Sequence, residues 1–292
     1  MFTGAVYHSI ARSITKLAYY LALDLNAIML PELASPSVYP SVHLTTPGIS
    51  HLRSKIVVAF VEGRPLLTPV QLAQYLESRV IAPAEYVRKK LSEVGIKSEV
   101  VTIGLKRPDC LAPIGVPKRY ACAVFANVPH KDVPMYLHVA KQMKNLYFVY
   151  VTGPGYWLEY RELLKLPNVV VYTNINTCNL YYILSRCSLY LAFSHAEGFG
   201  IPPIEALYFG VPVLAYNIET YRETIGKYAT FVKVEYLEPV KFAYMEFDRV
   251  KPVDDVVELV RELFGHRITD VELSYFEGNP LADRVRDLWE LT

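Results

Sequence analysis

The sequence predicts an α/β fold with two doubly wound parallel sheets that face each other across a cleft. Short apolar segments alternate with segments of helical periodicity along most of the chain, the pattern of parallel strands joined by helices. Several of these segments are apolar at every position, as expected for strands that helices cover on both faces. A proline-rich stretch, residues 106–117, separates two such series.

The first series predicts five strands and three helices. The strand segments are apolar or β-branched with proline or glycine nearby: Leu25–Leu30, Ser41–Thr45, Lys55–Val61, Arg79–Ala82 and Lys97–Ile103. The helical segments are Ile10–Leu23, Pro69–Glu77 and Glu85–Val94. Prolines at 108, 113 and 117 exclude a regular element there. We therefore predict a reduced first domain over residues 1–107 and a linker over 108–119.

The second series shows the same alternation more clearly. Its predicted strands are Ala121–Ala126, Tyr147–Thr152, Val169–Tyr172, Leu189–Phe193, Val213–Tyr216 and Thr230–Val234. Its predicted helices are Val133–Met143, Tyr156–Leu164, Asn179–Arg186, Pro203–Phe209, Tyr221–Ile225, Val253–Phe264 and Ala282–Leu291. We predict a second Rossmann-like domain over residues 120–275. A segment over 276–292 is expected to cross back to the first domain, because its last helix has an apolar stripe.

Composition narrows the classes of function. The 292 residues are 52% hydrophobic and carry a formal net charge of +1, so the chain can form a core and has no global positive charge for nucleic acid. No run of about 18 apolar residues predicts a transmembrane segment, and Arg12 and Lys16 interrupt the early apolar stretch that could be a secretory signal. We expect a cytoplasmic protein and leave open a peripheral membrane contact through Ile10–Leu21.

The four cysteines, at 110, 122, 178 and 187, form no Cys-x-x-Cys pair and have no histidine at zinc-ligand spacing. Their pattern favours buried free thiols in a reducing compartment. No metal site is expected.

The most informative segment is Ser194–Leu207. A predicted strand ends just before it, and Gly198 and Gly200 allow the backbone to approach a ligand closely. Pro202 and Pro203 favour the start of a helix. The free amides of a first helical turn attract anions, so a diphosphate is a suitable ligand.

Two carboxylates flank this loop. Glu197 precedes it, and Glu205 lies in the first turns of the following helix. Because they would repel a bare phosphate, they are better suited to accept hydrogen bonds from hydroxyl groups beside it, such as those of ribose and of a sugar.

The segment EGFGIPPIEALYFGVPVLA, residues 197–215, closely resembles the Glu-x7-Glu signature of retaining family-4 glycosyltransferases, which have the GT-B fold. Glu223 looks like a further acidic residue of that family. The resemblance implies that Glu205 holds the ribose and Glu197 the donor sugar. It also implies that the amides of Phe199, Gly200 and Ile201 hold the sugar and diphosphate. The donor would be a UDP-, GDP- or ADP-sugar, with no cofactor or metal required and retention of the anomeric configuration.

Other positions are assigned by the same resemblance. Lys131 fits the family's phosphate-binding lysine, whereas Asn127 stands where an arginine is expected, and His130, Lys118 or Arg119 could compensate. Gly153 and Asn174 fall where the family has a glycine pair and its contacts to the nucleotide base. Early in the chain His43 is the candidate for a histidine near the donor sugar, with His8 and His51 as alternatives. The acceptor could be a saccharide, a lipid or a protein.

Three alternatives remain. Thr45 stands where the family's histidine is expected, two residues after His43. This missing histidine and Asn127 favour a non-catalytic nucleotide-sugar-binding protein. A glycoside hydrolase could use two glutamates, but its carboxylates normally flank the scissile bond from both sides. A dinucleotide-dependent dehydrogenase would need a third glycine after Gly153 and Gly155.

Overall fold

The first sheet of the protein contains six parallel strands. A computed structural model describes residues 5–8, 21–22, 24–25, 28–31, 41–45, 55–153 and 158–290. The strands of the first sheet are β1 (Ala5–His8), β2 (Ile28–Pro31), β3 (Ser41–Thr45), β4 (Ile56–Ala59), β6 (Arg79–Ala82) and β7 (Ser98–Val100), in the order β2-β1-β3-β4-β6-β7. Helices α1 (Pro69–Leu76) and α2 (Glu85–Ser92) connect its later strands. Thr68 and Gln71 form a capping box that fixes the start of α1.

The second sheet also has six parallel strands. They are β8 (Tyr120–Phe125), β9 (Tyr147–Thr152), β10 (Val169–Tyr172), β11 (Leu189–Ala192), β12 (Val213–Tyr216) and β13 (Ala229–Val232), in the order β10-β9-β8-β11-β12-β13. The helices between them are α3 (Val133–Gln142), α4 (Leu158–Leu163), α5 (Thr177–Arg186), α6 (Ile201–Tyr208) and α7 (Glu219–Ile225). Strands β11 and β12 are buried at every position, so helices cover both faces as the apolar pattern predicted.

The strand order locates the ligand crevice of the second sheet. The chain runs outward from β8 to β10, then returns to add β11, β12 and β13 on the other side of β8. In doubly wound sheets, ligands bind at the carboxyl ends of the strands where the order reverses. Here that point lies between β8 and β11, so the segments after Phe125 and after Ala192 face the same crevice.

A third, antiparallel sheet was not predicted. Strands β14 (Val234–Phe242) and β15 (Met245–Pro252) form a hairpin, and the two-residue strand β5 (Arg64–Pro65) pairs with β15. The pairing shifts between Tyr236 and Pro239, and this bulge obscures the alternation from which a strand is recognised. The sheet joins residues of the first half of the chain to the second.

Several predicted strand boundaries were wrong: the strand predicted over Lys97–Ile103 ends at Val100, and the one over Lys55–Val61 ends at Ala59. The predicted strand Leu25–Leu30 begins only at Ile28, since Asp24 and Leu25 are helical. The strand predicted over Thr230–Val234 ends at Val232, and Val234 starts β14. Most of the predicted helix Ile10–Leu23 lies outside the described residues.

The last helices follow the hairpin. Helix α8 (Val256–Leu263) packs near β12, and α9 (Pro280–Glu290) lies against the first half of the chain. The Arg284 guanidinium is 2.9 Å from a Glu99 carboxylate oxygen, and Arg286 donates to the Asp24 carbonyl. The domain boundaries themselves stay predictions. None of the helices in the described ranges is long and apolar enough to span a bilayer.

The prediction of four free thiols was wrong. Cys110 is bonded to Cys178, and Cys122 to Cys187. Each pair is more than 60 residues apart in sequence, so no local spacing could indicate it. Cys122 and Cys187 meet because β8 and β11 are neighbours. A bridge that closes a loop of this length typically stabilises a fold by about 4 kcal/mol.

Candidate functional site at the carboxyl ends of β8 and β11

The loop between β11 and α6 takes the shape that its glycines allow. Gly200 immediately precedes α6 and has a φ of +83°. Residues with a side chain rarely adopt this backbone conformation. A Cβ at Gly198 would lie 3.0 Å from the carbonyl oxygen of Val61. The close approach at Gly198 is therefore to the backbone of the first half of the chain.

Glu197 is held by three donors on one side of its carboxylate. Oε1 accepts hydrogen bonds from Ser194 at 2.8 Å and from Tyr221 at 3.1 Å, and it lies 2.8 Å from Nζ of Lys131. No residue in the described ranges donates to Oε2 of Glu197. The contacts of Oε1 fix the orientation of the whole carboxylate, and the side chain is 15% exposed. Oε2 can therefore accept a hydrogen bond from a ligand hydroxyl.

Lys131 is the buried cation of the site. It ends a short 3-10 turn, Pro129–Lys131, that follows β8, and its side chain is 9% exposed. Nζ lies 2.7 Å from Oε1 of Glu62 and 2.8 Å from Oε1 of Glu197. Burial opposes the charged form, but the carboxylates of Glu197 and Glu62 more than offset it and raise the pKa of Lys131 above its usual value. The ammonium therefore stays charged at all physiological pH values.

Glu62 is a site residue that the sequence did not reveal. It follows β4 in the first half of the chain and contacts two basic side chains, with Oε1 lying 2.7 Å from Nζ of Lys131 and Oε2 lying 2.8 Å from Nε2 of His130. Burial opposes ionisation of Glu62, but His130 and Lys131 together hold its pKa below the ordinary value of 4.5. A single glutamate before Gly63 has no motif around it, so only the contact between the two halves identifies it.

The lowered pKa of Glu62 predicts a contribution to acid unfolding. Because its pKa is lower in the folded than in the unfolded chain, the ionised carboxylate stabilises the fold above pH 4.5, and this stabilisation is lost as the pH falls below that value. We expect Glu62→Gln to lose less thermal stability than the wild type between about pH 6 and pH 3. Glu246→Gln, which removes a carboxylate that lies near Arg64 and Lys241, is the control. Equal pH dependence in all three proteins would contradict the prediction.

Glu205 lies deeper than Glu197. It is in the second turn of α6, is 4% exposed, and its Oε1 accepts a hydrogen bond of 3.4 Å from the Tyr181 hydroxyl. Burial of a carboxylate is costly unless polar groups compensate, and the Tyr181 hydroxyl is one such group. The predicted contact of Glu205 with ribose remains a prediction.

The structure places the other predicted residues along the same edge of the second sheet. Asn127 follows β8, and neither its Oδ1 nor its Nδ2 has a partner among the described residues although both atoms are buried. Gly153 and Asn174 are exposed after β9 and β10, and Asn174 has a φ of +54°. Phe199 and Ile201 are buried at the start of α6. No group of three or more metal-ligating side chains occurs in the described ranges.

Of the early histidines, His8 and His43 lie on strands of the first sheet. His43 lies on β3, paired with Tyr7 of β1 and Val57 of β4, and its side chain lies outside the description. The same holds for the side chain of His8, and His51 lies outside the described residues. The predicted role of His43 is therefore neither supported nor opposed by a contact.

Glu223 joins the two halves of the chain. Its carboxylate oxygens accept from the backbone amides of Glu85 at 2.6 Å and Tyr86 at 3.1 Å. These amides belong to the first turn of α2, whose N-cap residue, Ala84, has no side-chain oxygen to accept them. An acidic residue on α7 thus caps a helix of the first half.

A cleft of about 120 Å³ opens between the halves beside Ala196, the residue before Glu197. Its wall includes Thr220, whose hydroxyl donates to the carbonyl of Glu197. It is also lined by Tyr86 and Lys90 of α2, His195 of the loop after β11, and Tyr236 and Asp248 of the hairpin. Aromatic and charged side chains from both halves therefore surround this space.

Part of the chain matches a known family model. Residues 114–243 match the family model described as glycosyl transferases group 1. The matched range contains β8, the turn with Lys131, the loop with Glu197 and helix α6.

Two curated relatives match parts of the chain. A putative glycosyltransferase of a Sulfolobus islandicus filamentous virus is 49% identical over 43 residues, which are 15% of this chain and 16% of that protein. The O-antigen chain mannosyltransferase RfbU of Salmonella typhimurium is 30% identical over 121 residues, 39% of this chain and 34% of that protein. The chain thus aligns with less than two thirds of the length of these relatives.

Solved structures match nearly the full chain at low identity. A glycosyltransferase from Rickettsia africae is 12% identical with a TM-score of 0.57, and the match covers 99% of this chain and 92% of that one. AviGT4, a glycosyltransferase involved in avilamycin A biosynthesis, is 12% identical with a TM-score of 0.55 over 98% and 97% of the two chains. The predicted fold class, two doubly wound α/β sheets as in GT-B glycosyltransferases, is confirmed.

Proposed function

We propose that the protein is a glycosyltransferase that moves a sugar from a nucleotide-diphosphate-sugar donor to an acceptor. The observation that carries the proposal is the ion pair of Lys131 with Glu197, 2.8 Å long, at the point of the second sheet where the strand order reverses. It combines a cation for a diphosphate with a carboxylate for sugar hydroxyls. The family match over residues 114–243 supports the same activity.

Each residue has a role in this proposal. Lys131 stabilises the charge that develops on the diphosphate as the bond to the sugar breaks. Oε2 of Glu197 accepts a hydrogen bond from a hydroxyl of the donor sugar, and Glu205 accepts from the ribose. The amides at the start of α6 contact the diphosphate, because the first turn of a helix has unpaired N–H groups. The acceptor approaches through the cleft between the halves.

The finer features belong to the same proposal. We propose that the sugar is transferred with retention of its anomeric configuration and without a metal ion. The nearly buried ammonium of Lys131 can supply the positive charge that a metal supplies in other transferases. A cytoplasmic location and a saccharide, lipid or protein acceptor remain predictions.

One observation favours the alternative of a protein that binds a nucleotide sugar without transferring it. Asn127 occupies the position where a second cation was expected, and its two buried polar atoms are unpaired among the described residues. A neutral amide stabilises a developing negative charge less than a guanidinium does. Loss of transfer with retained binding is the result that this alternative predicts.

A panel of nucleotide sugars tests the proposal. Binding of UDP-, GDP- and ADP-sugars is measured by calorimetry, and nucleotide release is followed with and without EDTA. We expect one donor to bind and to turn over slowly with EDTA present. Glu205→Ala should weaken binding of this donor by about 10- to 100-fold, because a hydrogen bond to a charged group is lost. Glu258→Ala, on the exposed surface of α8, is the matched control.

The outcomes separate the two candidate functions. Release of nucleotide together with a glycosylated product supports a transferase, and the anomeric configuration of that product, read by NMR, tests retention. Binding without release or product supports the binding protein. Failure of every donor to bind contradicts both functions and the assignment of Glu205.

A further inference from the structure

Glu62 makes a contact that the proposed reaction does not use. Its carboxylate extends from the first half of the chain and contacts two basic side chains of the turn after β8, Lys131 at 2.7 Å and His130 at 2.8 Å. One anion thus bridges Lys131, which the proposed function assigns to the donor diphosphate, and the neighbouring His130. An ammonium has three N–H donors, and two of those of Lys131 are directed at Glu62 and Glu197.

The position of this anion coincides with the crevice for a negatively charged ligand. Lys131 lies where the strand order of the second sheet reverses, beside the loop that leads into α6. A carboxylate and a phosphate use the same type of oxygen acceptor for an ammonium. A diphosphate on Lys131 would therefore meet the negative charge of Glu62 at the distance of an ion pair, where like charges repel strongly.

The backbone on both sides of Glu62 is fixed. The Val61 carbonyl packs against Gly198, and a Cβ at Gly63 would lie 2.4 Å from the carbonyl oxygen of Glu246. The carbonyl of Glu62 itself accepts a hydrogen bond from Tyr86 at 3.4 Å. Because the neighbours are packed, the carboxylate is presented to Lys131 by the fold and does not arrive there as a free surface side chain.

We propose that Glu62 is a built-in anion that occupies the place of the donor diphosphate and must be displaced for the donor to bind. The inference rests on the proposed function. Glu62 acts as a specificity-determining residue, because a ligand replaces it only if it returns enough negative charge to Lys131. Diphosphates meet this condition better than monophosphates or neutral sugars. The displacement also couples donor binding to a change in the contact between the two halves.

Calorimetry with inorganic pyrophosphate and nucleoside diphosphates tests the proposal. We expect Glu62→Gln to bind them at least about tenfold more tightly than the wild type, since the competing charge-assisted bond is gone. Glu62→Asp, which shortens the side chain, should also bind more tightly. Glu246→Gln is the matched control, because its carboxylate is of similar exposure and lies near Arg64 and Lys241 but not Lys131. It should bind like the wild type.

If Glu62 only stabilised the structure of the site, its replacement would weaken binding of the diphosphate. Tighter binding therefore distinguishes a competing anion from a structural contact. Equal or weaker binding in both Glu62 variants, with the wild type binding normally, overturns the inference and leaves the proposed function standing. If Glu62→Gln does not fold, Glu62→Asp decides. If no protein in the series binds a nucleoside diphosphate, the proposed function fails and the inference fails with it.

Discussion

Replacement of Lys131 by methionine is expected to reduce sugar transfer by about 100- to 1,000-fold, the usual effect of removing one group that stabilises charge in the transition state. The side chain is buried between Glu62 and Glu197, so bulk solvent cannot substitute for the lost ammonium. Asn127, which also follows β8, carries no positive charge. Nucleotide release at saturating donor is the measurement.

Lys131→Met is also expected to lower the stability of the fold, so a control must separate lost stability from lost transfer. Removing one partner of a buried ion pair costs about 3–5 kcal/mol, because the remaining charge is left uncompensated. In Lys131→Met both Glu62 and Glu197 lose their cation. The double variant Lys131→Met/Glu62→Gln should recover part of the stability and none of the transfer. Lys165→Met, at an exposed pair with Glu162, is the surface control. Transfer near the wild-type rate in folded Lys131→Met would disprove the role.

Gly63→Ala is expected to destabilise the protein by about 2–3 kcal/mol, the cost of forcing an extra methyl group into a packed site. The added Cβ would lie 2.4 Å from the carbonyl oxygen of Glu246 and 3.1 Å from Cβ of Phe247. Both belong to β15, which pairs with β5 immediately after Gly63. The added methyl group would contact the backbone oxygen of Glu246 and the Cβ of Phe247, which cannot rotate away as the end of a long side chain can. The backbone of the hairpin or of the loop with Gly63 must therefore shift.

The expected loss extends beyond stability, because Gly63 follows Glu62. A shift of this loop moves the carboxylate that contacts Lys131, so donor binding should change as well. Gly115→Ala is the matched control, since no atom lies within 4 Å of a Cβ there. Urea unfolding gives the free energy of each variant, and calorimetry gives donor affinity. If Gly63→Ala and Gly115→Ala had the same free energy of unfolding, the backbone of β15 would accommodate the methyl group without loss of stability, and the prediction would be wrong.

The sequence predicted the second sheet and its crevice well, for physical reasons. The buried strands β11 and β12 are apolar at all positions, and a turn with Gly198, Gly200 and two prolines specifies the loop into α6. Such signals are local, so they can be recognised without coordinates. Glu197 and Lys131 were predicted separately, and the ion pair between them follows from the adjacency of β8 and β11.

What the sequence did not predict depends on contacts between distant residues. Glu62 has no motif, and it becomes a site residue only because β4 ends opposite Lys131, 69 residues later. The partner of β5 lies in β15, so neither strand could be paired from local pattern. The cysteines were judged by short spacings, which cannot indicate bridges such as Cys122–Cys187.

The disulfide between Cys110 and Cys178 turns part of the chain into a covalent ring. The ring spans residues 110–178 and contains all but the first two residues of the stretch that we predicted as a linker; Lys118 and Arg119 are exposed within it. A protease that cuts after either residue opens the ring without releasing a fragment, because the bridge still connects the two pieces. They would migrate as one species on a denaturing gel until a reductant is added. The two halves are therefore connected covalently twice, by the polypeptide backbone and by the disulfide, and the disulfide keeps them connected after the backbone is cut.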